Sequence, residues 1–128
     1  MNEFEYNELG GIILDAAIRV HRELGAGLLE SVYQIALMTE LELREVPFTQ
    51  KVPIPLIYRG INTGKFFEID ILVEDSIIIE LKATDGMPPV FMAQLITYLK
   101  LSNKKLGYLI NFNVPLLKDG FKRVVNNF

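Results

Sequence analysis

The 128-residue chain contains no cysteine, no tryptophan and a single histidine, His21. Without cysteine there is no disulfide framework, thiolate zinc site, iron–sulfur cluster or cysteine nucleophile, and one histidine excludes a multi-histidine metal site. No stretch approaches the roughly 18 consecutive apolar residues of a membrane span, because charges or turn residues interrupt every run. The opening residues Met1-Asn2-Glu3-Phe4-Glu5 are acidic where a secretory signal is basic, so a cytoplasmic protein without membrane association is expected. No repeat, low-complexity tract or linker appears, and residues 1–128 read as one domain. With 50% hydrophobic residues and a net charge of -3, the chain has the composition of a folded protein rather than a disordered one.

The charge is unevenly placed. Residues 1–45 carry nine acids against three bases, net -6, and residues 46–128 carry seven acids against ten bases, net +3. The acidic total argues against tight non-specific binding of nucleic acid, but it leaves room for a local basic face.

Helical periodicity runs from Glu8 to Leu24 through Ile13, Ala17, Val20 and Leu24, and Gly25-Ala26-Gly27 stops it. A second helix is expected from about Leu28 to Arg44, apolar on most sides and therefore buried. Strands follow at 48–58, 65–73 and 76–83, the first an edge strand because of Pro53 and Pro55, with a hairpin turn at 60–64. Pro88-Pro89 opens a third helix to about Leu101, and Leu106–Asn111 is a buried strand. Residues 121–125 suit a short strand or a helical turn. The order predicts an α/β (α+β) fold, a central mixed β-sheet flanked by α-helices.

The anomaly lies in Ile77-Ile78-Ile79-Glu80-Leu81-Lys82. Branched apolar residues at this density mark a strand covered on both faces. Charges there cost several kcal/mol each to desolvate unless they are paired or metal-bound. Asp70 raises the same problem in the preceding strand, and a hairpin would bring it to Glu80. Two carboxylates with an ammonium beside them are the parts of a hard divalent-cation site with a catalytic lysine. The alternative is a salt bridge at the sheet rim. Alternation puts Glu68 on the same face as Asp70, so geometry alone does not choose between them.

Asp70, nine residues, then Glu80-Leu81-Lys82 resembles the signature of the PD-(D/E)XK nuclease superfamily. Gly27-Leu28-Leu29-Glu30-Ser31-Val32-Tyr33 resembles the motif that names its GxxExxY family. His21-Arg22-Glu23-Leu24-Gly25, Asn111-Phe112 and Leu116-Leu117-Lys118-Asp119-Gly120 resemble further parts of that family. Gln94 and Tyr98 resemble a Gln-x-x-x-Tyr element of recombination exonucleases. Ile69 stands where the superfamily's name has proline.

The resemblance implies a restriction-endonuclease-like core and metal-dependent hydrolysis of phosphodiester bonds, with DNA favoured over RNA. It implies Mg2+ or Mn2+ on Asp70, Glu80, the Leu81 carbonyl and Glu30, with Lys82 at the attacking water. Gln94, Tyr98, Tyr33 and His21 are then candidates for contacting substrate. The residues also have plainer readings: Glu30 as a helix-dipole partner in a first turn, Tyr98 packed on the sheet, and His21 as a satisfied, partly buried side chain. The alternative function is a non-catalytic module that keeps the fold and binds nucleic acid or protein. A homodimer or a protein partner is compatible with either.

Overall fold

The computed structural model describes residues Met1–Phe128. Helix α1 spans Glu3–Leu24, beginning five residues before the periodic stripe suggests. Asn2 accepts a hydrogen bond from the Glu5 amide while the Glu5 side chain accepts one from the Asn2 amide, a capping box legible in Asn-x-x-Glu. Gly25 and Gly27, both at positive φ, carry the chain into α2, Glu30–Leu43.

Strands β1 (Phe48–Tyr58), β2 (Ile61–Val73) and β3 (Ile77–Lys82) follow, then α3 (Pro89–Ser102), β4 (Leu106–Asn111), the short α4 (Leu117–Gly120) and β5 (Phe121–Val125). The five strands form one sheet in the order β1-β2-β3-β4-β5. All neighbours are antiparallel except β3 and β4, which α3 connects in parallel. No helix is long and apolar enough to cross a membrane.

The sheet separates two cores. Ile13, Val20, Leu37 and Leu41 of α1 and α2 pack on one face against Ile71, Ile77, Ile79, Leu81 and Ile110. Leu95 and Leu99 of α3 pack on the other against Phe67, Ile69, Ile78 and Leu109. Coverage on both faces accounts for the unbroken Ile77-Ile78-Ile79 run.

Two expectations change and one open alternative is resolved. The hairpin turn is Arg59-Gly60, both at positive φ, so two residues suffice and residues 61–64 belong to β2. Residues 121–125 are a strand. Helix α2 is not buried on most sides: Tyr33, Leu37 and Leu41 face the core, while Leu29, Ile35 and Leu43 stand in solvent. One sheet accepts only one stripe of a helix, so apolar character on the other sides does not bury it.

The glycine at the end of α4 is fixed by close approach. A Cβ on Gly120 would overlap the Asn111 carbonyl oxygen, which is backbone and cannot move aside cheaply. Gly120→Ala is expected to lower stability by about 2 kcal/mol, read as a lower denaturant midpoint with an unchanged slope.

Candidate active site

The β2–β3 ladder runs Val73↔Ile77, Leu72↔Ile78, Ile71↔Ile79 and stops one residue short of Asp70 and Glu80. From there side chains replace the backbone pairing. The Asp70 amide donates to Glu80 Oε1 at 3.2 Å, and the Leu81 amide donates to Asp70 Oδ2 at 2.8 Å. Each carboxylate thus holds the other strand's backbone with one oxygen and leaves its second oxygen available. Gln34 of α2 steadies the arrangement from the side, its Nε2 donating to the Asp70 carbonyl at 3.2 Å.

A face exchange in β2 sets Asp70 apart from Glu68. Ile69 lies in the α3 core and Ile71 in the α1–α2 core, although residues two apart in a regular strand share a face. The exchange falls at Asp70, opposite Lys51, a non-glycine residue at φ 51°. Asp70 is consequently half-buried against β3, and Glu68 is exposed.

Glu80 is only 6% exposed. Burial first, and then the Asp70 charge, push its carboxyl up to about 8. Burial also raises Asp70, opposed by the Leu81 amide and the Lys82 ammonium. Lys82, half-buried at the end of β3, has its Nζ 4.4 Å above the centroid of the Phe91 ring, which restrains the long side chain. Its carbonyl accepts from the Phe112 amide at 3.0 Å, continuing the β3–β4 pairing past the strand end.

Glu30, the first residue of α2, also faces this group. Its carboxyl is raised by burial and then by Asp70, and lowered by Lys82. No three histidine, aspartate or glutamate side chains are grouped closely enough to hold a metal by themselves. The pre-assembled acidic pair is therefore Asp70 and Glu80, with Glu30 outside it.

On the α3 side, Tyr98 stacks on Phe67 with centroids 3.9 Å apart and planes within 2°. Its hydroxyl pKa is raised by burial, by Glu80 and by Asp70, and lowered by the neighbouring Gln94 side chain. Gln94 and Tyr98 therefore share a helix face turned toward the carboxylates.

Tyr33 and His21, expected to touch substrate, are placed elsewhere. Tyr33 is fully buried and stacked on Phe112 at 4.5 Å. Its hydroxyl donates to the Gly25 carbonyl at 2.6 Å and accepts from the Leu28 amide at 3.1 Å, so it closes the α1–α2 loop and reaches no carboxylate. His21 Nε2 lies 2.7 Å from the Val114 carbonyl and is the satisfied, partly buried histidine of the plainer reading.

Sequence reasoning passed over Gln34, Lys51 and Phe91, and assigned no role to Asn111. Asn111 is 1% exposed; its Nδ2 donates to the Thr84 and Gly86 carbonyls and its Oδ1 accepts from the Thr84 and Asn113 amides. It holds the loop that leaves Lys82. A polar residue ending a run as apolar as Leu106–Ile110 was the available signal for Asn111. Nothing local distinguishes Gln34 or Phe91.

A family model described as the PD-(D/E)XK nuclease superfamily matches residues 7–124. No curated protein and no solved structure gives a significant match.

Proposed function

Because the chain belongs to the PD-(D/E)XK nuclease superfamily, we propose that it is a metal-dependent nuclease hydrolysing phosphodiester bonds, with DNA the favoured substrate. The motif from Gly27 to Tyr33 supports placing it in the GxxExxY branch. The observation that carries the activity is the reciprocal clasp of Asp70 and Glu80, with Lys82 two residues along the same strand. Neutral side chains could close the β2–β3 junction equally well, so two raised carboxyls side by side favour the active reading over a module that kept only the fold.

The donor set fits Mg2+ or Mn2+. Two crowded, partly desolvated carboxylates, each with one oxygen uncommitted, are stabilised by a hard cation, and Mg2+ needs only one or two carboxylates beside water and substrate oxygens. Asp70, Glu80 and the Leu81 carbonyl would hold it, with Glu30 reaching it through water. When bound, such an ion lowers the pKa of its water and offsets charge on the phosphate.

The chain's own groups supply positioning and proton handling. Lys82 holds the attacking water or takes its proton, and its ammonium stabilises the charge that builds on the phosphate oxygens. Phe91 fixes where that ammonium sits. Gln94 donates to a phosphate oxygen, and Tyr98 packs beside it on the rigid platform of Phe67. Tyr33 and His21 act at a distance by holding the loops that carry Glu30 and Val114.

The test is a panel of labelled single-stranded and duplex DNA and RNA with Mg2+ or Mn2+. Cleavage by the wild type is expected, with Lys82→Ala slowed roughly a hundredfold or more. A wild type that cleaves nothing in the panel, or a Lys82→Ala protein as fast as the wild type, would overturn the corresponding assignment.

A further inference from the structure

Beyond Asp70 the β2–β3 pairing ends, yet β1 and β2 continue as a two-stranded ribbon to the Arg59-Gly60 turn. At about 3.3 Å per residue, β2 reaches up to about 30 Å from Asp70 to Ile61. One face of the ribbon is occupied: Val52, Ile54, Leu56 and Phe67 pack on the α3 side. The other face and the tip are not.

Three properties of the ribbon's exposed residues belong together. Residues 46–67 contain no aspartate or glutamate and three bases, Lys51, Arg59 and Lys65, in a chain of net charge -3. None of the three bases has an ion-pair partner. Large rings stand in solvent beside them, Tyr58 at 67% exposure and Phe66 at 62%. Phe66 pairs across the ribbon with Pro55, and strand alternation turns it away from Phe67 and α3.

The ribbon is also continuous with the carboxylates. Phe67, the neighbour of Phe66, stacks on Tyr98, and Lys51 at the ribbon's base lies within charge reach of Asp70.

We infer that the β1–β2 ribbon is an arm that grips a single-stranded stretch of nucleic acid leading to the Asp70–Glu80 site, with bases stacked on Tyr58 and Phe66 and phosphates met by Arg59 and Lys65. Unpartnered cations complement a phosphate backbone, and an exposed ring next to a cation in each strand, Tyr58-Arg59 and Lys65-Phe66, suits splayed bases. A closed duplex offers base edges but no free base faces, so its charge would be matched and the rings would not. Protein interfaces also bury tyrosine, phenylalanine and arginine, so it is the absence of any acid over residues 46–67 that favours a polyanion over a protein partner. The arm rests on the nuclease reading for its purpose and not for its measurement.

Binding is measured without metal, by anisotropy of one labelled DNA strand, the RNA of the same sequence, and their duplexes, against the full chain. The wild type is expected to prefer a single strand. Tyr58→Ala with Phe66→Ala should weaken it by about tenfold or more. Arg59→Ala with Lys65→Ala should reduce the slope of log affinity against log salt by about 1.4. Tyr58→Phe with Phe66→Tyr keeps both rings and should restore affinity; thermal melts confirm that each variant is folded.

Equal binding by folded wild type and both alanine pairs overturns the arm. So does duplex bound as tightly as single strand, a wild type that binds neither DNA nor RNA, or alanine pairs whose only effect is on molecular mass, which would make the ribbon a contact between copies. Wild type that binds through the ribbon but never cleaves with metal overturns the nuclease reading and leaves the arm standing.

Discussion

Glu80→Gln is expected to abolish cleavage while making the metal-free protein more stable at pH 8. Glutamine can still accept from the Asp70 amide, so the β2–β3 junction stays closed. What disappears is a carboxylate that burial and Asp70 both oppose. The catalytic loss should be on the order of a thousandfold or more, because the variant removes one of the two pre-assembled carboxylates.

The sign of the pH dependence follows from a carboxyl whose pKa rises from 4.5 in the unfolded chain to about 8 in the fold. The folded state binds the extra proton, so its stabilising contribution is complete below about pH 4.5 and is lost as pH climbs through about 8. The melting temperatures of wild type and Glu80→Gln should therefore converge near pH 4.5 and separate toward pH 8, by an amount worth a few kcal/mol at most. Asp70, also raised, tilts the wild type in the same direction.

On the proposed metal-dependent reading, metal affinity should run the opposite way, since a cation competes with that proton; it should climb with pH and level off above about 8. Millimolar Mg2+ should raise the melting temperature of the wild type and leave Glu80→Gln unmoved. A variant that matches wild-type cleavage, or a wild type whose melting ignores Mg2+ and Mn2+ at pH 8, contradicts this assignment.

Asn111→Ala is expected to cost about 4 kcal/mol of stability. The substitution leaves two carbonyls, of Thr84 and Gly86, and two amides, of Thr84 and Asn113, without their partner in a part-buried loop. Some of those groups will find water, which is why the figure is well below four full desolvation penalties. The same strand end holds Lys82 through the Phe112 amide, so cleavage should fall as well, even at temperatures where the variant remains folded. Asn111→Asp is the informative companion: it keeps both acceptor bonds, loses both donor bonds and buries a charge, and should be at least as destabilised. Chemical denaturation of the two variants decides the matter; a loss under about 1 kcal/mol would mean the loop is held by other contacts.

The course of the chain was largely readable in order. Periodicity, the Gly25–Gly27 break, the edge prolines and Pro88-Pro89 place the helices and strands, because each reports a local backbone constraint that needs no partner. Where local signals fell short, the missing information was spatial. The apolar sides of α2 exceed what one sheet can cover, and the composition of a helix does not say how many neighbours it has. Residues 60–64 read locally as the hairpin turn, and only cross-strand pairing places it at Arg59-Gly60. Tyr33 and His21 lie in motifs that resemble functional ones, yet the Tyr33 hydroxyl and His21 Nε2 contact backbone carbonyls eight and 93 residues away.

For the candidate site, the sequence by itself determined that charged residues sit inside the two most apolar strands, and that burying them demands a partner. Alternation placed Glu68 and Asp70 on one face, and only the motif resemblance favoured Asp70. The tertiary structure added a geometric distinction: β2 exchanges faces at Asp70, opposite the left-handed Lys51, and turns Asp70 toward Glu80 while Glu68 remains in solvent. Cysteine and multiple histidines were missing from the start, which restricted any metal chemistry to oxygen donors. The fold then showed which oxygens lie together, because a side chain's period along a strand is local, whereas the point at which two strands stop pairing belongs to the whole sheet.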